Sequence, residues 1–511
     1  KYPQHEIESI WKQLLTLQDC NVLSGTAIAD AYDDVHRTYS NIQQTTSHLI
    51  DRAANVLTDS VKKRGQEDYV TLFNPLAWER SEYVVLSVRS NEKQFTVLDD
   101  KGAEIDHQVL ERGKNKVALL CYIPHILPLS FVGLAVYPGV GKSLSASQWK
   151  ISQRIIESPF YKIRFDRKGG VSSLYDKQAR RELIKKGKRG NILQTFVDKP
   201  KQWEAWDIDA DYHSKQTHLF HTKSVKLVER GPLRVVLRLD LRSSGTSRLT
   251  QDMILYHQSR RIDFVTDLRW FEKQTLLKVA FPLEVKSHMP TYEIQFGAIS
   301  RTSRPTTSWD EAKFEVPAQR WADLSDAKGG VSLLNDSKYG YDAHGSTLRL
   351  TLLRSPHFAH PTEPAKLTDN RLSDQGDHHC TYALLPHQGD WRKARTVRHA
   401  KEFNNPILIF YERSARRIPP LVSTSHANIV IETIKKAEDS DEIVLRIYEA
   451  HGEQRDTTLE FGSSILKAFE CDLMENVLNN LKASKTKLKI KFKPFEIKTL
   501  KVALKPQSAR T

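Results

Sequence analysis

The chain has 511 residues, 27% of them charged and 39% hydrophobic, with a formal net charge of +15 at pH 7. Its length calls for two to four domains, and its composition is that of an ordinary globular protein, not a disordered or fibrous one. It holds no apolar run long enough to span a bilayer, no N-terminal signal pattern, and only four scattered cysteines (Cys20, Cys121, Cys380, Cys471), so no membrane partner and a reducing, cytoplasmic setting are expected.

Residues 1–65 read as a helical hairpin or bundle segment. Ile7, Trp11, Leu14 and Leu15 recur at helical spacing, as do Ile28, Tyr32, Val35, Tyr39 and Ile42, then Leu49, Ala53, Val56 and Leu57. The stretch L-Q-D-C-N-V-L-S-G-T-A-I, Leu17 to Ile28, falls at the bend between the two runs, with Ser24 the expected N-cap of the second helix.

Past Gly65 the runs turn β-branched, aromatic and alternating: Y-V-V-L-S-V from Tyr83, L-R-V-V-L-R-L-D-L from Leu233, S-R-R-I-D-F-V-T-D-L-R-W from Ser259. A mainly β body is predicted. It divides into a small β-domain over 66–145, a large β-sandwich over 146–400 and a C-terminal β-sandwich domain over 401–511. Transitions fall near Gln148 and over Arg392 to Asn405, and a short helix is expected around Cys471 to Leu481. The net charge invites a nucleic-acid reading. It is spread out, however, except at Lys185 to Arg189 and near the end, where Leu488, Ile490 and Phe492 alternate with Lys487, Lys489, Lys491 and Lys493. Period-two alternation predicts a strand with one buried face and one solvated lysine face that guards an edge. No nucleic-acid partner is expected, and a basic nucleic-acid binder is kept only as the least favoured alternative.

The most unusual segment is W-E-A-W-D-I-D-A-D-Y, with two indoles and four carboxylates between Trp203 and Tyr212. Unpaired charge is costly to bury, whereas indole faces stack on sugars and carboxylates bind sugar hydroxyls. A carbohydrate site and a structural loop whose tryptophans are buried and whose carboxylates pair with Lys199, Lys201 or Lys215 both fit. D-I-D-A-D is not an EF-hand, because Tyr212 and His218 stand where the loop needs Gly and Glu. His378 and His379 lie on a predicted strand, where neighbours point to opposite faces, so they make no metal pair. His357, His360 and His387 follow no ligand spacing, and there is no phosphate-binding glycine loop, G-x-S-x-G elbow or H-E-x-x-H motif.

Several segments in series carry a resemblance: F-N-P-L-A-W-E-R-S from Phe73, F-Y-K-I-R-F-D-R-K-G-G-V-S-S-L-Y-D-K from Phe160, and G-N-I-L-Q-T-F-V-D-K-P-K-Q-W-E-A-W-D-I-D from Gly190. L-L-K-V-A-F-P from Leu276, F-E-V-P-A-Q-R-W-A-D-L-S from Phe314, K-Y-G-Y-D from Lys338 and Y-A-L-L-P-H from Tyr382 continue it. Together they resemble the C-terminal two-thirds of a family 38 α-mannosidase of the cytosolic and bacterial type. The resemblance implies a helical bundle followed by a mutarotase-like β-sandwich with smaller β-domains. It also implies retaining hydrolysis of terminal α-mannosides, with one carboxylate as nucleophile, a second as acid and base, and zinc holding sugar hydroxyls.

On this resemblance the bend matches the family's W-K-x-L-L-x-x-Q-F-H-D-x-x-x-G-x-x-I, in which His ligates zinc and Asp contacts the sugar. Gln18 and Gly25 match, but Cys20 stands at the metal position and Asn21 at the sugar-contacting one. Cys20 as a metal ligand and Asn21, Trp206 and Asp207 as substrate-binding residues are therefore the candidates. No catalytic residue is assigned, and neither Asp207 nor Asp209 takes the nucleophile's role. The nucleophile and the other three zinc ligands are implied upstream of Lys1, in the family's N-terminal barrel. The expectation is thus a C-terminal portion inactive alone, with zinc in the complete family enzyme and none held tightly here. Its partners would be an α-mannoside or oligosaccharide and a separate catalytic-barrel chain. The alternative is a non-catalytic carbohydrate-binding or scaffolding β-protein.

Overall fold

A computed structural model describes residues 2–60, 67–139, 149–359, 368–415 and 420–506. The protein is mainly β. The expected boundaries at 65/66 and 145/146, Gln148 and His360 lie outside the described residues.

Helix α1 (Gln4–Thr16), the short α2 (Cys20–Ser24) and the long α3 (Ala29–Leu57) open the chain. Side-chain bonds Gln13–Asn41 and Arg52–Glu6 pair the start of α1 with the end of α3, so the two run antiparallel. The predicted cap is corrected. Asp19, not Ser24, caps a helix, accepting from Asn21 N at 2.9 Å, and Ser24 closes that helix by donating its hydroxyl to Cys20 O. Gly25 follows in the left-handed conformation (φ 80°) that a side chain disfavours, so α2 stops there. Helix α3 ends at Leu57, and Thr58–Ser60 pairs as a strand with Arg413–Ala415. The hairpin is thinly buried: α1 buries no residue, and Trp11, Leu15 and Val56 are more than half exposed. Among the described residues no helix is long and apolar enough to cross a membrane.

Residues 68–138 build a four-stranded and a three-stranded antiparallel sheet around Val70, Leu72, Leu86, Phe95 and Leu119. Leu408–Tyr411, from far along the chain, adds the fourth strand beside Asp68–Phe73. The largest core lies between a nine-stranded and a six-stranded antiparallel sheet within residues 192–387, joined by the five-stranded sheet of residues 150–182. At its centre Phe264 stacks on Tyr382, and Phe281 packs against both at steeper angles. Two further sheets, within residues 422–504, enclose Val422, Leu445, Leu459, Leu488 and Leu500.

The lysine strand forms as the alternation predicts. Lys487–Phe492 buries Leu488, Ile490 and Phe492 and exposes the lysines, of which Lys487 and Lys491 face Glu460 and Asp456. It pairs along its length with Arg455–Phe461, but on the other side only with Ala483–Ser484, so it lies next to an edge. The predicted helix around Cys471 to Leu481 is corrected: strand Ile465–Cys471 turns at Asp472 into strand Val477–Asn480. Asp472 Oδ1 accepts from Met474 N and Asn476 N, which satisfies the turn that a helix would have replaced. Arg392 to Asn405 resolves into helix Thr396–Asn404.

Candidate functional site

The segment Trp203 to Tyr212 lies over the outer face of the six-stranded sheet. Its backbone is pinned by Arg354, at the end of strand Thr347–Arg354, whose guanidinium donates to the carbonyls of Glu204 (2.7 Å), Ala205 (3.2 Å) and Asp207. Asp198 holds that guanidinium from behind, at 2.6 Å from Nε. Trp203 takes a left-handed φ of 59°, and Trp206 N and Asp207 N both return to its carbonyl, so the loop is a closed turn.

The four carboxylates sort into different roles. Glu204 faces inward, with Oε1 accepting from His357 N, His357 Nδ1 and Gln274 Nε2 at 2.9 to 3.0 Å. Because a carboxylate only accepts, His357 Nδ1 carries the proton here. Asp209 and Asp211 both pair with Lys215. Asp207 is exposed, and its Oδ1 accepts only from the next backbone N–H, of Ile208, among the described residues. The indoles are 44% (Trp203) and 41% (Trp206) exposed and meet edge to face at 5.7 Å. The structural alternative therefore holds for Asp209 and Asp211 but not for the indoles or Asp207.

Beneath the loop, the 3-10 turn Ala210–Lys215 inserts Tyr212 against Phe196 and Leu276. Tyr212 meets a buried polar cluster. Lys278, fully buried, reaches Glu315, Asp342 (2.6 Å) and the Tyr212 hydroxyl (3.3 Å). Sheet register explains the convergence: Lys278 lies beside Thr351, and Ala280 beside Arg349, which in turn faces Asp342. Arg349 binds Asp342 and donates to His213 Nδ1 at 2.9 Å. Burial, then the Arg349 charge, push the His213 imidazole down to about 4, so it is neutral and accepting at neutral pH. Apart from Tyr212, at the end of the tryptophan segment, none of this cluster was singled out from sequence. Its members come from distant segments, and a lysine in L-L-K-V-A-F-P carries no local mark of burial.

Cys20 and Asn21 are both exposed in the turn between α1 and α3. Asn21 Oδ1 accepts from the Thr26 hydroxyl at 3.1 Å, which leaves its amide nitrogen to meet a ligand. The Tyr32 hydroxyl donates to the carbonyls of Asn21 and Val22, and the Tyr32 ring packs at 5.6 Å on Phe358. Phe358 adjoins His357, the residue that binds Glu204. Hairpin His357–Ala359/Thr368–Leu372 therefore carries both candidate segments, and Arg371 adds an ion pair to Asp30 of α3. Zinc does not fit the residues present: Cys20 stands without companions, and no three His, Cys, Asp or Glu side chains converge as a ligand set among the described residues. His378 and His379 are separately bonded, to Asp374 O and Asp267.

Residues 156–362 match the description "Glycosyl hydrolases family 38 C-terminal domain", and residues 428–500 match "Glycosyl hydrolases family 38 C-terminal beta sandwich domain". Alpha-mannosidase 2C1 of Homo sapiens is 31% identical over 514 residues, 99% of this chain and 46% of that protein. The chain belongs to glycosyl hydrolase family 38. Alpha-mannosidase G of Dictyostelium discoideum is 31% identical, covering 97% of the chain and 48% of the relative. Alpha-mannosidase of Saccharomyces cerevisiae is 27% identical, covering 98% and 44%. The chain spans about half the length of the curated relatives it matches. The fold is shared with a family 38 protein of Enterococcus faecalis, at TM-score 0.80 and 15% identity over 98% of this chain and 66% of the other. An alpha-mannosidase of Enterococcus faecalis V583 gives TM-score 0.81 at 14% identity, over 98% and 64%.

Proposed function

We propose that this family 38 chain forms the sandwich-side wall of a site for terminal α-mannosides, in a retaining glycosidase whose nucleophile and zinc ligands belong to the family's N-terminal barrel. In that reading the nine- and six-stranded sheets are the mutarotase-like sandwich, and the exposed apolar residues of α1 and α3 are where barrel residues pack. The observation that carries it is the shared hairpin: the exposed Trp203–Trp206 pair and Asp207 are held to the same support as Asn21.

Chemically, this wall binds and orients. An indole face covers the apolar face of a pyranose, and the Asp207 carboxylate accepts from a hydroxyl in a charge-assisted bond. The Asn21 amide donates to another hydroxyl without such assistance. No step is routed through zinc, because the donor set here does not hold it. By itself, the 511-residue chain binds mannosides weakly and does not hydrolyse them, since retaining hydrolysis needs two carboxylates flanking the bond. The four cysteines, free thiols in the structure, suit a reducing compartment such as the cytoplasm.

A second reading, a non-catalytic carbohydrate-binding protein, is favoured by Cys20 and Asn21 standing where the family has His and Asp. Two measurements separate them. The purified chain is expected to show tryptophan quenching by methyl α-mannoside and no release of nitrophenol from an aryl α-mannoside. The same chain joined to a family 38 barrel is expected to gain turnover. Binding without turnover in the joined protein would favour the second reading, and no binding at all would remove both.

A further inference from the structure

A cavity of about 580 Å³ lies where the start of strand Arg80–Val88, the turn Gln258–Arg261, the end of strand Gly376–His387 and the first turn of helix Thr396–Asn404 meet. It is remote from the tryptophan loop. Strand Ile262–Trp270 starts at this cavity and ends just before Gln274, which binds Glu204. Its nine residues set the two sites roughly 25–30 Å apart.

Arg80, Arg260, Arg261, Lys393, Arg395 and Arg398 line the cavity against Glu79, Glu82 and Glu402, and these cations are not equally occupied. Arg260 and Arg261 are taken by Asp176 and Asp263. Arg80 is only 4% exposed, yet its Nε and Nη2 find no acceptor among the described residues, and Nη1 reaches just the Glu402 carbonyl at 3.3 Å. A buried, half-satisfied guanidinium is costly unless a ligand or solvent completes it. Arg398 lies over the Trp78 ring at 5.0 Å and donates to two neutral carbonyls, of Ala427 and His426, with no carboxylate bonded to it among the described residues. Burial, then the charge of Arg395, bring its guanidinium down to about 10, outweighing the opposing pull of the Glu402 carboxylate. Arg395 is exposed and precedes the nine-residue helix, whose N-terminus has no side-chain cap. The helix thus adds its own positive end to the same place.

The remaining wall has a different chemistry. Trp78 is buried beneath Arg398, so the ring surface comes from the half-buried Tyr83 and Tyr122, and Glu82, also half-buried, accepts at Oε1 only from Tyr83 N among the described residues. Arginines on one side and aromatic surface with a spare carboxylate on the other match a ligand with an anionic head and a hydroxylated body. Guanidinium forks suit a tetrahedral oxyanion, which has several acceptor oxygens for several arginines.

We propose that this cavity is a second ligand site, independent of the mannoside wall, that takes the phosphate of a sugar phosphate on Arg80, Arg395 and Arg398, with the sugar against Tyr83 and Glu82. The test is calorimetric titration of the full 511-residue chain with inorganic phosphate, glucose 6-phosphate and glucose. Arg80→Met and Arg395→Asn are titrated alongside; Asn tolerates the left-handed backbone at position 395, so that variant folds even where the first does not. Saturable binding of glucose 6-phosphate, weakened about tenfold in Arg395→Asn, is expected. Tighter binding of glucose 6-phosphate than of inorganic phosphate supports a sugar phosphate, and equal binding supports a free phosphate in the same arginine cradle. Glucose binding as well as its phosphate, no binding at millimolar concentration, or affinity unchanged in Arg395→Asn would overturn the proposal.

Discussion

Glu204 Oε1 receives both the backbone N–H and the ring Nδ1–H of His357, each at 2.9 Å, so one carboxylate oxygen ties the tryptophan loop to the hairpin that supports the Cys20–Asn21 turn. Burial raises the Glu204 carboxyl, but the bonds from His357 and Gln274 outweigh it and hold the group below its ordinary value. An unfolded glutamate titrates near about 4.3. The tie is therefore fully present above that pH and is lost as pH falls through the lower folded value. Tryptophan emission is expected to change in acid, below about pH 4, as the loop detaches. In Glu204→Gln the change should disappear and the neutral-pH spectrum should already be altered. An acid transition unchanged in Glu204→Gln would show that the tie lies elsewhere.

The buried ammonium of Lys278 lies between Glu315 and Asp342, with Tyr212 above it. Lys278→Met removes one partner, leaves the half-buried Glu315 without its cation, and leaves the buried Asp342 with Arg349 alone. The expected cost is about 3–5 kcal/mol, read as a lower urea midpoint of the sandwich transition. Lys278→Met with Glu315→Gln should recover part of the loss, because the stranded charge is then gone. A single variant as stable as the parent would show that solvent reaches this cluster and that the ion pair does not hold the sandwich.

The difference between these two sites shows what the sequence made legible. The family segments and period-two runs identified a β-rich chain, and the alternation at Lys487 to Lys493 named each buried residue of its strand, because alternation is a local property. The exposed role of Trp206 was half legible: composition marked the segment, but only the fold shows Glu204 turned inward and Asp207 left outside. The Lys278 cluster was not legible, since Tyr212, Glu315, Asp342 and Arg349 meet through strand pairing across long separations. At Cys471 to Leu481, where a helix was expected, Asp472 with Asn476 was the turn signal that the reading passed over. At the first bend, Asp19 offered the same kind of signal as Ser24 and lies one residue before the helix it caps.

Metal content gives a separate expectation. Cys20 is exposed, and a single thiolate is a poor zinc site without three companions. After dialysis at neutral pH the isolated chain should hold far less than one equivalent of zinc, and Cys20→Ala should leave that content unchanged. About one tightly held zinc per chain, lost on that substitution, would place a metal site at the turn after all.

The last expectation concerns Trp206 and Asp207 themselves. A buried tryptophan truncated to alanine costs several kcal/mol, about 3–5. Trp206 is instead 41% exposed, and its main partner is the edge of Trp203, a contact worth about 0.5–1.5 kcal/mol. Trp206→Ala should therefore move the melting temperature only slightly. Asp207→Asn should not move it at all, because the Oδ1 bond to Ile208 N survives in the amide. In the mannoside reading, both variants weaken methyl α-mannoside binding to the chain. In a barrel-joined protein, Asp207→Asn also lowers kcat/KM by about tenfold, the value of one charge-assisted bond. The two readouts must separate: binding lost with stability kept marks a site wall. A large drop in melting temperature in Trp206→Ala would return the indole to a structural role. Unaltered binding and kcat/KM in Asp207→Asn would remove that carboxylate from the sugar site.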